Sequence, residues 1–296
     1  MRTDRSQGLC GAAEPLDIVR VAWHGLHMWE EPCLSGTRGS GTVFFSGCPL
    51  GCVFCQNRSI SRAWIGERLD PSGLADRMLS LEASGAHNIN LVTGAHILPA
   101  AAAAIGLARG RGLRLPVVWN SGGYETVETL RRLDGLVDIY LPDFKFMDPG
   151  LAEMLCHAPD YPDIARAAIL EMARQTGGPE QFENGILKRG LIVRHLVLPG
   201  CHTDSLRILE WLAGHLPLDT RLSILAQYTP MPDGRPEEVA EERLARSLRR
   251  RITTYEYEKV VGRAVALGFT RILGQDRDSA DNRYIPPFPE APSASL

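Results

Sequence analysis

The chain has 296 residues, 44% of them hydrophobic and 23% charged, enough for one large domain or two small ones. A formal charge of −3 gives no electrostatic case for nucleic acid or an anionic membrane as partner. The longest apolar run, ILPAAAAAIGLA from Ile97, is mostly alanine and too short to span a bilayer, and the opening MRTDRSQGLCGAAEP lacks the apolar core of a signal peptide. A cytoplasmic protein is expected.

After an irregular opening of some forty residues, short apolar runs alternate with amphipathic segments. GTVFFSG (41–47) reads as a strand closed by glycine. DPSGLADRMLSLEASGA (70–86) carries a helix start at Asp70-Pro71 and a glycine stop. HNINLVTG (87–94) is a second strand and Leu98 to Arg109 a helix. LPVVWNSGG (115–123) is a third strand, followed by a helix over YETVETLRRL. GLVDIYLPDFKF (135–146) is a fourth strand, with helices near 149–157 and 161–174.

QTGGPEQFENG (175–185) reads as a loop, LIVRHLVLPG (191–200) as a fifth strand, and HTDSLRILEWLAGHL as a helix capped by Thr203 or Asp204. RLSILAQY (221–228) is a sixth strand. Two more helices and a short strand at 270–274 follow, then a proline-rich tail expected to be disordered. Strand and helix alternating six times predict a parallel sheet, either an open doubly wound sheet or a barrel. In both, ligands gather beyond the C-terminal ends of the strands.

Three of the seven cysteines, Cys48, Cys52 and Cys55, crowd into FFSGCPLGCVFCQNRS at spacing C-x3-C-x2-C, just after the first of these strands. An odd, clustered set does not resemble a secreted disulfide framework. A zinc site would need a fourth ligand, and spacing of that kind usually comes as two C-x2-C pairs. Cys10, Cys33, Cys156 and Cys201 are scattered and are expected to be free thiols. A four-iron cluster held by only three thiolates leaves one iron open for another molecule.

This motif, with Phe54 before its last cysteine, resembles the signature of the radical S-adenosylmethionine (SAM) enzymes. The flanks, with Phe44, Phe45, Gly47 and Gln56-Asn57-Arg58, resemble pyruvate formate-lyase activating enzymes. HGLHMWEEPCLSGTRGSGT (24–42) is similar to the lead-in of a less characterised branch of such activating proteins, and the likeness runs from about residue 8 to residue 275. The resemblance implies a partial (β/α)6 TIM-like barrel, with an N-terminal extension over 1–40, a radical SAM core over 41–275 and a tail over 276–296.

The resemblance also implies a [4Fe-4S] cluster on Cys48, Cys52 and Cys55, with SAM chelated to the open iron. Reduction of the sulfonium then releases a 5′-deoxyadenosyl radical for hydrogen abstraction. Implied partners are a flavodoxin- or ferredoxin-type electron donor and a glycyl-radical protein. Modification of another peptide or small molecule is the alternative substrate reading; an iron–sulfur electron carrier or a zinc protein is the alternative outside the class.

Carried over by strand, the SAM-binding positions are Phe54, Thr93, Gly94, Asn120, Ser121, Asp143, Lys145, Arg194 and Val197. LVTGAH lacks the glutamate usual in activating enzymes at this turn, where His96 is a substitute or merely a surface histidine. Asn120 and Ser121 suit ribose or carboxylate, or else only local turn bonds. Asp143 and Lys145, two apart, face one side, and Lys145 is one of only three lysines among 32 Lys+Arg. His195 points to the opposite face from Arg194 and is read as structural. Gln227 and Tyr228 are candidates for the substrate opening, Tyr228 equally for the core. GLCGA around Cys10 resembles the end of an upstream cysteine group in longer relatives.

Overall fold

The computed structural model describes residues 17–230, 239–275, 286 and 288; Cys10 and nearly all of the tail lie outside the described residues. The parallel strands are β2 (Ser40–Phe45), β4 (Ile89–Val92), β5 (Val117–Ser121), β6 (Ile139–Pro142), β8 (Ile186–Leu196) and β9 (Arg221–Leu225), with a short β10 (Ile272–Leu273) after them. They neighbour one another in chain order, β2-β4-β5-β6-β8-β9-β10, all parallel. A doubly wound sheet reverses its strand order at a switch point. This order never reverses, so the right-handed crossovers stack on one face and the sheet curls around the other. The architecture is the expected partial (β/α)6 barrel, and β10 does not pair back to the first strands.

The crossover helices include α3 (Pro71–Ala83), α4 (Leu98–Gly110), α6 (Pro149–Cys156), α7 (Tyr161–Thr176) and α8 (His202–His215), and α10 (Thr254–Ala266) packs against α8. Alternate strand residues such as Val43, Phe45, Leu91, Trp119, Tyr140 and Val193 join these helices in one large core. The other set points inward, where Val118, Ile139, Leu141 and Ile192 form a second apolar cluster. With both faces covered, the strands read as continuous apolar runs.

What covers the inner face was not legible in advance. Residues 19–27, within the expected irregular opening, form β1 (Val19–His27), antiparallel to β2 and extended at its far edge by β3 (Glu67–Leu69). The burial of β1 is uneven and its run is broken by His24 and Gly25, which hides the strand signal. From its end the chain dips into the barrel as α1 (Pro32–Ser35), whose Leu34 is fully buried against Val118, Ile139, Leu141, Leu187 and Ile192. Asn88 fixes this plug, donating from Nδ2 to the Leu34 carbonyl (2.8 Å).

Two smaller expectations change. The loop over 175–185 contains β7 (Gln181–Glu183), hairpinned to β8 through Asn184 and Gly185, both at positive φ (51° and 79°) as an Asn-Gly turn demands. Neither Thr203 nor Asp204 caps α8: Cys201 is the N-cap, without a side-chain bond, and the Asp204 carboxylate accepts instead from the Met147 N–H (2.9 Å).

Leu34 tests the plug. Leu34→Ala should cost about 2–5 kcal/mol, read as a lower midpoint in urea unfolding, because an inward cavity surrounded by rigid strands collapses poorly.

Candidate functional site

A cavity of about 300 Å³ opens at the C-terminal ends of the parallel strands. Cys48, Cys52 and Cys55 line it from the loop after β2, and Thr93, Asn120, Ser121, Asp143, Lys145 and Arg194 line it from the following strands. Residues separated by nearly 150 positions thus converge because each sits at the same end of its strand.

The cysteine loop is held by backbone on both sides. Gly51 and Val53 donate their N–H groups to the carbonyls of Cys156 (3.1 Å) and Leu155 (2.9 Å) at the end of α6. The His96 Nε2–H donates to the Ser46 carbonyl (2.8 Å), beside Gly47 at φ 86°. A side chain on Gly47 would stand 3.1 Å from that ring, so glycine suits both the turn and the contact. His96 therefore braces the loop rather than replacing the missing glutamate.

Burial, reinforced by the neighbouring thiols, pushes the Cys48 thiol upward, and burial does the same for Cys55. Cys52 is the exception. Its Sγ stands 2.8 Å from that of Cys156, which burial holds in the protonated form, so the Cys156 S–H donates and lowers the Cys52 thiol. Cys156 is the free thiol expected, and it contacts Cys52 from outside the cavity lining.

Asp143 and Lys145 do face one side. Lys145 Nζ lies 2.5 Å from Asp143 Oδ2, and Arg194 Nε donates to Oδ1 at 2.9 Å. Burial would raise the Asp143 carboxyl, but Arg194 and then Lys145 outweigh it and hold it below the usual range. Tyr161 fixes the backbone here, accepting from the Lys145 N–H (2.9 Å) and donating to the Asp143 carbonyl (2.7 Å). Gly123 at φ 74° lets that carbonyl approach; a Cβ there would lie 2.5 Å from it.

Asn120 and Ser121 differ in their bonding. Asn120 Oδ1 accepts from Arg194 Nη2 (2.5 Å) across the barrel, whereas Ser121 makes local bonds, donating to Glu125 (3.2 Å) and accepting from the Gly123 N–H. Phe54 lines the cavity with its ring edge-on to Phe146. Thr93, at φ 63°, donates its N–H to the Asn120 carbonyl (2.9 Å).

Gly94 and Val197 stand apart from the cavity lining. Gly94 packs on the Trp119 ring, 2.5 Å from where its Cβ would be, and Val197 is fully buried in the helix-side core. His195 is structural as expected, bonding the Phe144 carbonyl (2.7 Å) and the Ser205 hydroxyl (2.8 Å). Gln227 reaches the cavity mouth; Tyr228 is a core residue bonded to the Leu248 carbonyl (2.6 Å).

Sequence reasoning missed Glu30 and Glu31, which enter the cavity from the segment leading into α1. Glu30 Oε1 accepts from Asn90 Nδ2 (2.9 Å), and Oε2 faces Arg194 Nη1 (3.5 Å). Adjacent glutamates ordinarily signal a solvated turn; only the aromatic and apolar company of HMWEEPCL hinted at burial.

Among the described residues, no three His, Cys, Asp or Glu side chains are grouped as a single metal ion would require. Three thiols lining one cavity from a single glycine-bearing loop fit an iron–sulfur cluster, whose positive irons would draw off the protons that burial retains on Cys48 and Cys55.

One comparison with known proteins agrees with that donor set. Residues 35–144 match the family described as a 4Fe-4S single cluster domain. An uncharacterized protein of Methanocaldococcus jannaschii is 31% identical over 249 residues, covering 80% of this chain; the chain spans 64% of that protein's length. The crystal structure of methylornithine synthase superposes with a TM-score of 0.46 and 16% identity, over 79% of this chain and 70% of the other.

Glu125 provides a pH test. Burial pushes its carboxyl up to about 7 from an ordinary 4.5, against bonds from Trp119 and Ser121. The folded state therefore holds a proton that the unfolded state releases, so this group's stabilisation is full below pH 4.5 and lost as pH rises to about 7. Urea unfolding should show Glu125→Gln gaining on the wild type by on the order of 2–3 kcal/mol between pH 4.5 and 7.

Proposed function

We propose that the protein is a radical SAM enzyme. The observation that carries this reading is the convergence, on one cavity, of the three loop thiols with a carboxylate–lysine–arginine set. The match of residues 35–144 to a 4Fe-4S single cluster domain supports it. Cys48, Cys52 and Cys55 would hold a [4Fe-4S] cluster. When bound, that group supplies one electron to the SAM sulfonium, giving methionine and the 5′-deoxyadenosyl radical that takes hydrogen from the substrate.

The chain's own residues bind and orient. Lys145 and Arg194 offer N–H donors to the SAM carboxylate, and Asp143 offers an acceptor to its amino group; the three share charge when the site is free of ligand. Burial would lower Lys145, but Asp143 and the neighbouring Cys52, Tyr161 and Cys156 together outweigh it and hold it cationic. Phe54 and Leu50 provide apolar wall that keeps water and stray hydrogen donors from the reacting carbon. The hydrogen donor in this reading is a glycine of a glycyl-radical protein, as the sequence resemblance implies, or another peptide or small molecule. A flavodoxin- or ferredoxin-type protein would supply the electron.

A second reading rests on Cys156. Four thiolates complete a cluster that only transfers electrons. The 2.8 Å contact with Cys52 speaks against it, because sulfurs bound to different irons must stand well beyond van der Waals contact.

Anaerobic reconstitution with iron and sulfide, then reduction with SAM, separates the readings. The wild type should bind iron and release 5′-deoxyadenosine, and Cys48, Cys52 and Cys55→Ala together should abolish both. Cys156→Ala should retain its iron. An iron-bearing wild type that binds no SAM, and loses iron in Cys156→Ala, would favour electron transfer; a colourless protein that takes zinc would sink both.

A further inference from the structure

The floor of the cavity is short of positive charge. Among the described residues that line it, Glu30, Glu31 and Asp143 are acidic while Lys145 and Arg194 are basic. Lys145 is occupied with Asp143 at 2.5 Å. Arg194 is divided among Asp143, Asn120 and, at a longer 3.5 Å, Glu30. Glu31 is 7% exposed and receives the Ser223 hydroxyl, yet its Oε2 is buried with no hydrogen-bond partner. The side chain of Glu30 is 8% exposed. Beside it, Asn90 donates through Nδ2 and leaves Oδ1 buried without a partner.

The two unpartnered atoms are both acceptors, and a buried acceptor left bare costs about 1–3 kcal/mol. Burial accordingly drives both carboxyls above their usual range, Arg194 only partly opposing it. A donor-rich cation is the chemistry that would satisfy them. Water supplies two donors but no charge.

Position decides which molecule brings the cation. Asn90 and Ser223 lie within β4 and β9, whereas the thiols, Thr93, Ser121 and Asp143 lie at the strand ends or beyond them. Glu31 thus sits one layer of inward-facing residues below the place where SAM's polar groups would be held, and Glu30 links the two layers, meeting Asn90 (2.9 Å) below and Asn120 Nδ2 (3.4 Å) and Arg194 (3.5 Å) above.

We propose that Glu30 and Glu31 form a recognition site for a primary ammonium group on the substrate from which hydrogen is taken. The proposal rests on the radical SAM reading for the word substrate, while the site itself is a property of the folded chain. An amino group on a peptide side chain or on a small molecule meets the requirement equally.

Calorimetric titration with n-butylammonium chloride tests it, with n-butanol and sodium butyrate as neutral and anionic controls of the same length. The metal-free protein should bind the amine and neither control. Glu31→Gln, which keeps the shape and removes the charge, should weaken binding at least tenfold; Glu30→Gln makes the same comparison should the first variant misfold. On the reconstituted protein, saturating SAM should leave amine binding in place. No preference for the amine, equal binding by both Gln variants, or displacement of the amine by SAM would each overturn the proposal, the last by assigning the site to SAM's own ammonium. None of these readings requires SAM cleavage, so failure of the radical chemistry and failure of this site are separately visible.

Discussion

The guanidinium of Arg194 is the joint on which the inner face depends. From near the C-terminal end of β8 it reaches Asp143 beyond β6 at 2.9 Å, Asn120 on β5 at 2.5 Å and Glu30 on the segment entering α1 at 3.5 Å. Burial would lower Arg194, but Asp143, Glu31 and Glu30 together outweigh it, so the cation is retained inside the barrel. A planar fork with several donors suits this position, since a lysine could not serve three acceptors in fixed directions. The apolar plug around Leu34 lies below this network, and the cysteine loop stands above it.

That arrangement puts stability and function under different constraints. The helix-side core follows from hydrophobic burial and tolerates volume-conserving exchange. The inner face instead holds paired and unpaired charges in a poorly solvated space, where deleting one member strands another. Such incompletely satisfied groups are a cost to folding, and they persist most readily where a ligand completes them. The unpartnered Glu31 Oε2 and Asn90 Oδ1 are of this kind. The Asp143–Lys145–Arg194 set and the acidic floor are therefore two layers of one cavity, joined through Arg194.

Cys156 shows a different limit of reading by spacing. It lies 101 residues beyond Cys55 at the end of α6, where nothing in MLCHAPD distinguishes it from a packed thiol. It reaches Cys52 because the α6 terminus pairs its backbone carbonyls with Gly51 and Val53. The same two hydrogen bonds brace the loop whether or not the thiol takes part in chemistry.

The six parallel strands, their crossover helices and the C-x3-C-x2-C loop were determined by the sequence alone, because each is a local matter: β-branched runs, helix caps and the spacing of three thiols act over fewer than twenty residues. The placement of Asp143, Lys145 and Arg194 at one end of the barrel follows almost directly, as strand ends converge in any parallel array. Tertiary structure decided the rest. β1 was hidden by its polar interruptions, and the sinking of α1 into the barrel depends on Leu34 meeting Val118, Ile139, Leu141 and Ile192, residues more than eighty positions away. That long-range packing turns two adjacent glutamates from an apparent surface pair into a buried acidic floor, and no local pattern carries it.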